Sequence, residues 1–204
     1  MKILVTGFEP FGGSRINPSE QVICKLPGYS IPGIEIVTGL LPVDRDRGPA
    51  QLITLLQEHA PQAVLCLGEA SRRPVISIER VGVNLMDYRI PDNAGQKIID
   101  ELIDPQGPAA YFATLPVRSI YEALLAAQIP VEMSMSAGAY LCNQVLYTLL
   151  HYVSKNRLDV PAGFIHLPVL PEQACLSSVP VPSMSLETSL QGTMVALHVI
   201  AESI

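Results

Sequence analysis

The sequence lacks the features that identify several large classes of protein. It contains only four cysteines and no pair in a CxxC spacing, so neither a zinc site nor a disulfide framework is predicted and a reducing compartment fits. Neither common phosphate-binding pattern, GxGxxG or GxxxxGK followed by Ser or Thr, is present. No apolar run reaches the roughly 18 residues of a membrane-spanning helix, and the first residues carry no signal-peptide cleavage pattern. We therefore expect a cytoplasmic protein.

Positive charge is also scarce. The chain has 13 Lys and Arg residues against 19 Asp and Glu residues, which gives a net charge of −6. Binding to nucleic acid or to an anionic membrane requires clustered Lys and Arg side chains. Only Arg72-Arg73 and residues 44–47 come near such a cluster, and the second is neutralised by its own aspartates. We therefore predict neither a nucleic-acid partner nor a membrane partner.

The apolar residues that are present suffice for one substantial core, so we predict a single catalytic domain over residues 1–204. Strand-like and helix-like patterns alternate along the chain. The predicted strands cover residues 2–6, 34–41, 63–67, 75–83, 111–114 and 163–168, and the predicted helices cover residues 20–26, 44–59, 117–127, a segment beginning near 141 and a segment after 185. This alternation predicts an α/β fold, a three-layer α/β/α sandwich with a twisted mixed central sheet.

Residues 136–143 contain the first candidate for a catalytic group. The segment turns at small residues and enters a helix whose apolar positions recur every four residues from Leu141 onward. Cys142 therefore lies in the first helical turn, where free backbone N–H groups and the helix dipole stabilise a thiolate and offer donors to a developing oxyanion. Free cysteines are also common core residues, so packing is an alternative role for Cys142, and Cys24 is expected in the core.

Glu79 and His166 are further candidates for catalytic residues, and each could instead have a purely structural role. Glu79 lies within an apolar segment, where a carboxylate needs a partner, so it either forms a structural salt bridge or orients a histidine. His166 lies at the end of the strand predicted over residues 163–168, which is where α/β folds tend to carry their chemistry, although a core role is equally open.

The loop after the first predicted strand is rich in glycine and contains Phe8 and Phe11. Aromatic side chains are unusual in exposed loops, so these two either fold back onto the core or line an apolar pocket. Residues 87–93 form a second polar, turn-rich segment that reads as an ordered functional loop.

Taken together, these segments resemble the pyrrolidone-carboxyl peptidases, also called pyroglutamyl peptidases of type I, a family of cysteine peptidases. The similarity spans nearly the whole chain. It is carried, in order, by residues 6–13, 17–19, 79–84, 87–93, 136–143 and 164–168.

The resemblance implies a cysteine exopeptidase that removes N-terminal pyroglutamyl residues from peptides through a thioester acyl-enzyme. It implies a triad of Cys142, His166 and Glu79, with Arg89 near the developing oxyanion. The implied reaction needs no metal and no organic cofactor. The resemblance also implies a homo-oligomer, either a dimer or a tetramer. The substrate-binding residues predicted with it are Phe8, Phe11, Ile90, Tyr140 and Leu141.

The chain differs from the family pattern beside the expected pocket. The family usually has Gly-Gln-Ala-Gly-Gly-Arg where this chain has Gly-Glu-Ala-Ser-Arg-Arg at residues 68–73, which adds charge and removes loop freedom. We expect this change to affect rate and leaving-group preference more than reaction type. Two alternatives follow from it: a catalytically weak relative that binds blocked peptides, and a cysteine amidase that acts on another small lactam or acyl amide.

Overall fold

The computed structural model describes residues 1–204. The strands are β1 (Lys2–Phe8), β2 (Glu35–Leu41), β3 (Ala63–Glu69), β4 (Ile76–Glu79), β5 (Val81–Val83), β6 (Ala110–Phe112), β7 (Val131–Ser134) and β8 (Ala162–Leu167). The helices are α1 (Pro18–Lys25), α2 (Arg47–His59), α3 (Val117–Ala126), α4 (Leu141–Lys155), α5 (Pro171–Ala174) and α6 (Leu186–Glu202). None of these helices combines the length and the apolar character that a membrane span requires.

Six strands form one sheet in the order β2-β1-β3-β8-β4-β7. The strands β1, β2, β3 and β8 are parallel, whereas β4 runs antiparallel to β8 and parallel to β7. The central strands β3 and β8 are buried almost throughout, because helices cover both faces of the sheet and such strands need apolar residues on both sides. The sheet is therefore mixed.

Alternate residues of the strands enter two separate cores. Ile3 and Leu65 pack with α1, α3 and α6, whereas Leu4 and Phe164 pack with α2 and α4 on the opposite face. The small sheet β5-β6 lies against α4. The predicted three-layer α/β/α architecture is confirmed.

Polar side chains fix the segments immediately before two helices. The Asn17 side chain accepts a hydrogen bond from the backbone N–H of Ser19 at 3.0 Å and so caps α1. Asp44 Oδ1 accepts from the backbone N–H groups of Asp46 and Arg47 at 2.9 and 2.8 Å, immediately before α2. Both loops are thereby fixed at the edge of the sheet that carries the candidate site.

The structure differs from the sequence interpretation in four places, the first of which is the edge strand β7, which was not predicted. The predicted strand over residues 75–83 breaks at Arg80 into β4, which joins the main sheet, and β5, which leaves it. Cys24 is exposed because it lies on the outer side of α1. The connection after Pro171 contains the short helix α5, which was not predicted.

The parallel strands β1, β3 and β8 end at the same edge of the sheet. The loops that follow β1 and β3 therefore lie side by side, next to the start of α4. In α/β sheets, ligands bind at this edge.

Candidate active site

Cys142 is the second residue of α4, and its sulfur lies over the end of β3. A Cβ atom added to Gly68 of β3 would lie 2.9 Å from Sγ of Cys142, so only glycine leaves room for the thiol there. The first N–H groups of the helix, those of Leu141, Cys142 and Asn143, have no hydrogen-bond partner within the chain. They remain available to an oxygen atom bound beside the sulfur.

His166 and Glu79 are brought together by the antiparallel pairing of β8 with β4. Glu79 lies opposite Phe164, so His166 is two residues further along the same face of the sheet. Nδ1 of His166 lies 2.8 Å from Oε1 of Glu79. Because a carboxylate can only accept, Nδ1 carries the proton and Nε2 is the basic nitrogen of the neutral ring.

The thiol of Cys142 and the residue that carries the imidazole, His166, both lie next to Gly68. Gly68 is the residue of β3 that pairs with His166, and it is also the residue that Cys142 Sγ lies against. Cys142 and His166 line the same cavity. The register of the two strands therefore positions the base beside the sulfur.

Glu79 is fully buried and has two partners on one oxygen. In addition to His166, Arg73 donates from Nη1 to Oε1 at 2.5 Å, and its Nη2 donates to the carbonyl oxygen of Ser136 at 2.7 Å. Oε2 of Glu79 has no partner. Burial alone would raise the pKa of Glu79, but the hydrogen bond and charge of His166, together with the charge of Arg73, lower it. The carboxylate is therefore ionised.

The thiol of Cys142 has a raised pKa in this structure, contrary to the thiolate expected from its place at a helix start. The cause is burial first, followed by the negative charges of Glu79 and Glu69, and Arg73 opposes them only in part. A neutral thiol must transfer its proton to the imidazole of His166 before it can attack. His166 is placed to receive it.

A narrow pocket opens beside the sulfur. Phe8, which ends β1, is almost fully buried and also lines this pocket, so both alternatives raised by the sequence hold for it. Phe11 lies with its ring centroid 6.0 Å from that of Tyr140. The complete lining is Phe8, Phe11, Asn17, Val43, Glu69, Tyr140, Leu141 and Cys142.

Glu69 is the acidic member of this otherwise largely apolar pocket. Its Oε2 accepts a hydrogen bond from Nε2 of Gln173 at 2.7 Å, while Oε1 makes no hydrogen bond within the chain. Burial raises the pKa of Glu69, and the bond from Gln173 opposes that shift only in part. Gln173 lies in α5, so this contact also ties the connection after β8 to the end of β3.

The loop over residues 87–93 is fixed to the start of α4. The N–H of Asp87 donates to the carbonyl oxygen of Ala139 at 2.9 Å, and the hydroxyl of the buried Tyr88 donates to Gln144 Oε1 at 2.5 Å. The hydroxyl of Tyr140 donates a hydrogen bond to the carbonyl oxygen of Pro91 at 3.1 Å.

This loop carries Arg89 and Ile90 to a second, larger cavity. The cavity has a volume of about 990 Å³ and reaches from Cys142 and His166 to the loop that follows β1. Arg89 is exposed and its guanidinium has no partner in the chain. Ile90 lines this cavity and not the narrow pocket. The structure contains no group of three His, Cys, Asp or Glu side chains arranged to hold a metal ion.

Known proteins share both the sequence and the fold. The sequence pattern of the pyroglutamyl peptidase family matches residues 1–203. The chain belongs to this family. It is 44% identical to a pyrrolidone-carboxylate peptidase of Coprothermobacter proteolyticus, over 100% of this chain and 98% of that protein. It is 48% identical to the one of Gloeobacter violaceus, over 98% and 97%.

Solved structures of the pyroglutamyl peptidase family superpose closely. The crystal structure of a mutant pyrrolidone carboxyl peptidase from P. furiosus has a TM-score of 0.97 at 42% identity, covering 100% of both chains. The pyroglutamyl peptidase I of Bacillus amyloliquefaciens has a TM-score of 0.94 at 36% identity, covering 98% of this chain and 97% of that one. The resemblance found in the sequence is confirmed, and with it the fold and the enzyme class, a cysteine peptidase of the pyroglutamyl peptidase type.

The residues predicted for this family's site converge, with one difference in detail. Cys142, His166 and Glu79 lie together, and all predicted pocket residues except Ile90 line the narrow pocket. The pocket residues Asn17, Val43 and Glu69 were not predicted. Glu69 was identified only as part of the departure at residues 68–73, although a polar residue that departs from a family pattern beside a candidate site is itself a signal.

Proposed function

We propose that this chain hydrolyses the amide bond after an N-terminal pyroglutamyl residue, with Cys142 as nucleophile, His166 as proton carrier and Glu79 as the group that orients the imidazole. The observation that carries the proposal is the thiol of Cys142 beside the His166–Glu79 pair, at the mouth of a pocket of small size and mostly apolar lining. A pyroglutamyl ring has no ammonium group, so shape and a few polar contacts must hold it.

In the first step, His166 Nε2 takes the proton of the Cys142 thiol as the sulfur attacks the pyroglutamyl carbonyl carbon. Glu79 holds the proton on Nδ1 and balances the positive imidazolium that forms. The imidazolium then gives its Nε2 proton to the departing amine, which leaves as the shortened peptide. The acyl group stays on the sulfur as a thioester.

The carbonyl oxygen becomes negative during the attack. The unpaired N–H groups at the start of α4 and the guanidinium of Arg89 are the donors that we assign to it. Removing one donor of this kind typically lowers the rate by roughly 10²–10³.

Water completes the cycle. His166 Nε2, neutral again, takes a proton from a water molecule that attacks the thioester carbon. The bond between carbon and sulfur breaks, the proton returns to the thiolate, and pyroglutamate leaves.

We further propose the setting of the enzyme: one catalytic domain over residues 1–204, a reducing cytoplasm, and a homo-oligomer, either a dimer or a tetramer. The family pattern spans the chain, and the four cysteines are free thiols, which favours a reducing compartment. Light scattering coupled to size-exclusion chromatography tests the oligomer, and a monomer at every concentration would refute it.

The test of the reaction is hydrolysis of a pyroglutamyl amide reporter before and after treatment with iodoacetamide. Cys24 and Cys175 are exposed and would react as well, so the experiment uses a Cys24→Ser/Cys175→Ser background. Cys66 is fully buried, and burial raises its pKa to about 12, so it does not compete. We expect turnover in the background variant, loss of turnover on alkylation, and no turnover in the same background with Cys142→Ala.

Turnover that survives both alkylation and Cys142→Ala would remove Cys142 from its role. A folded background variant without turnover on any pyroglutamyl amide would refute the proposed reaction. Circular dichroism of each variant establishes that the protein tested is folded.

A further inference from the structure

The side chains that line the larger cavity include more positive than negative charges, whereas the chain as a whole is negative. Four of the 13 Lys and Arg residues line it, against two of the 19 Asp and Glu residues, although the chain as a whole carries −6. This cavity begins at Cys142 and His166, and its volume of about 990 Å³ extends well beyond the catalytic groups. Positive charge is therefore concentrated beside the reacting atoms.

Three of these arginines are free to bind a ligand. Arg15, Arg72 and Arg89 are exposed, and none has an ion pair or a side-chain hydrogen bond within the chain. The fourth, Arg73, is already held by Glu79 and Ser136. An arginine guanidinium presents a fixed fork of donors that matches a carboxylate.

Two carboxylates, those of Glu69 and Glu172, line this cavity beside the four arginines. Oε2 of Glu69 is already occupied by the hydrogen bond from Gln173. Glu172 is exposed and lies in α5. Arg15 and Arg72 line the same cavity from the loops after β1 and β3, which are adjacent parallel strands.

The narrow pocket holds the acyl group in the proposed reaction, so the larger cavity must receive the part of the peptide that leaves. We propose that Arg15 and Arg72 form a binding site for a carboxylate on the leaving group, so that the enzyme prefers peptides whose released part is acidic. This inference rests on the proposed function and adds a substrate class to it. The carboxylate comes from either an acidic side chain directly after the pyroglutamyl residue or the free C-terminus of a short peptide.

Two matched substrate pairs distinguish the sources. The first pair is pyroglutamyl-Glu-amide and pyroglutamyl-Gln-amide, which differ in one side-chain charge. The second is pyroglutamyl-Ala with a free carboxylate and pyroglutamyl-Ala-amide. For at least one pair we expect kcat/KM to be about threefold to tenfold higher for the anionic member at low ionic strength, mainly through KM, and the ratio to approach one at about 0.5 M salt.

Variants assign the preference to the two arginines. Arg15→Gln/Arg72→Gln should bring the preferred ratio close to one, mainly by lowering kcat/KM of the anionic substrate. Arg118→Gln is the matched control, because it removes an exposed positive charge from α3, which does not border the cavity, and it should keep both ratios and basal turnover.

Ratios of one for both pairs in the unmodified enzyme, with normal turnover of the amides, would overturn this inference and leave the proposed function intact. A ratio that persists in Arg15→Gln/Arg72→Gln would overturn the assignment to these residues. No turnover of any of the four substrates would overturn the proposed function as well.

Discussion

Two side chains bind the same carboxylate oxygen of Glu79. His166 and Arg73 both bind Oε1, while Oε2 has no partner. Burial favours the neutral form of the Glu79 carboxyl, and the hydrogen bond and charge of His166 are the first to oppose this by lowering its pKa. The charge of Arg73 adds to this lowering of the Glu79 pKa, and Arg73 also reaches the segment before α4 through Ser136. We therefore regard Arg73 as a positioning residue for the triad.

Replacing Arg73 with methionine tests this role. Loss of the charge raises the pKa of Glu79, so the acid limb of the kcat profile should move to higher pH and kcat at about pH 6 should fall by about tenfold, while KM changes little. Arg73→Lys keeps the charge and should restore most of the acid limb. An unchanged limb in Arg73→Met would show that the arginine has no electrostatic effect on catalysis.

Much of the site could be predicted from single residues. The features that could not be predicted all depend on contacts between segments that are distant in the sequence. Cys142 was predicted from its helical turn, and Glu79 from the need of a buried carboxylate for a partner. That partner was left open because it depends on how β4 pairs with β8 and on where the loop before β4 returns. The thiol pKa depends on burial and on Glu69, neither of which is visible along the chain.

At the scale of elements, the site depends on close contact between β3, β8 and α4 at Gly68. A Cβ atom at this position would lie 2.7 Å from Cζ of Phe164 and 2.9 Å from Sγ of Cys142. Both distances are shorter than ordinary van der Waals contact, so the side chains must move. The sulfur is the more mobile of the two groups, since Phe164 is buried in the sheet.

Gly68→Ala should therefore displace the thiol without unfolding the protein. We expect kcat to fall by about 10²-fold, because a misplacement of about 1 Å has this effect, while stability falls by about 1–3 kcal/mol. Gly28→Ala is the matched control, since a Cβ atom there meets nothing within 4 Å. Steady-state kinetics and thermal unfolding of both variants provide the measurement, and equal kcat values would contradict the contact.

The element boundaries show what local patterns miss. The ends of helices α1 and α2 were predicted to within three residues. The segment over residues 75–83 reads as one strand because its composition is uniform, but Arg80 is where the chain leaves the main sheet. Ser77 and Glu79 are buried like their apolar neighbours because helices cover both sides of the sheet, so alternation along the strand carries no signal there.

At the scale of the whole molecule, two buried carboxylates beside the thiol shift in opposite directions. Glu79 has a lowered pKa in the folded protein, so it contributes stability above its unfolded pKa, and this is lost as pH falls through the folded value. Glu69 has a raised pKa, so its ionisation costs stability as pH rises through the folded value. The two effects partly cancel in the unmodified protein.

Substituting Glu79 and Glu69 one at a time should separate their two effects on stability. Glu79→Gln should lower the free energy of unfolding at neutral pH by about 3 kcal/mol, because Arg73 loses its buried partner, and the loss should shrink as pH falls through the acid range. Glu69→Gln removes a group whose charged form is unfavourable, so its free energy of unfolding relative to the unmodified chain should rise as pH increases from about 4 to 8. Urea unfolding across this range measures both curves. Parallel pH dependence in the two variants would contradict the opposite shifts, and with them the account of why the thiol of Cys142 is neutral until His166 takes its proton.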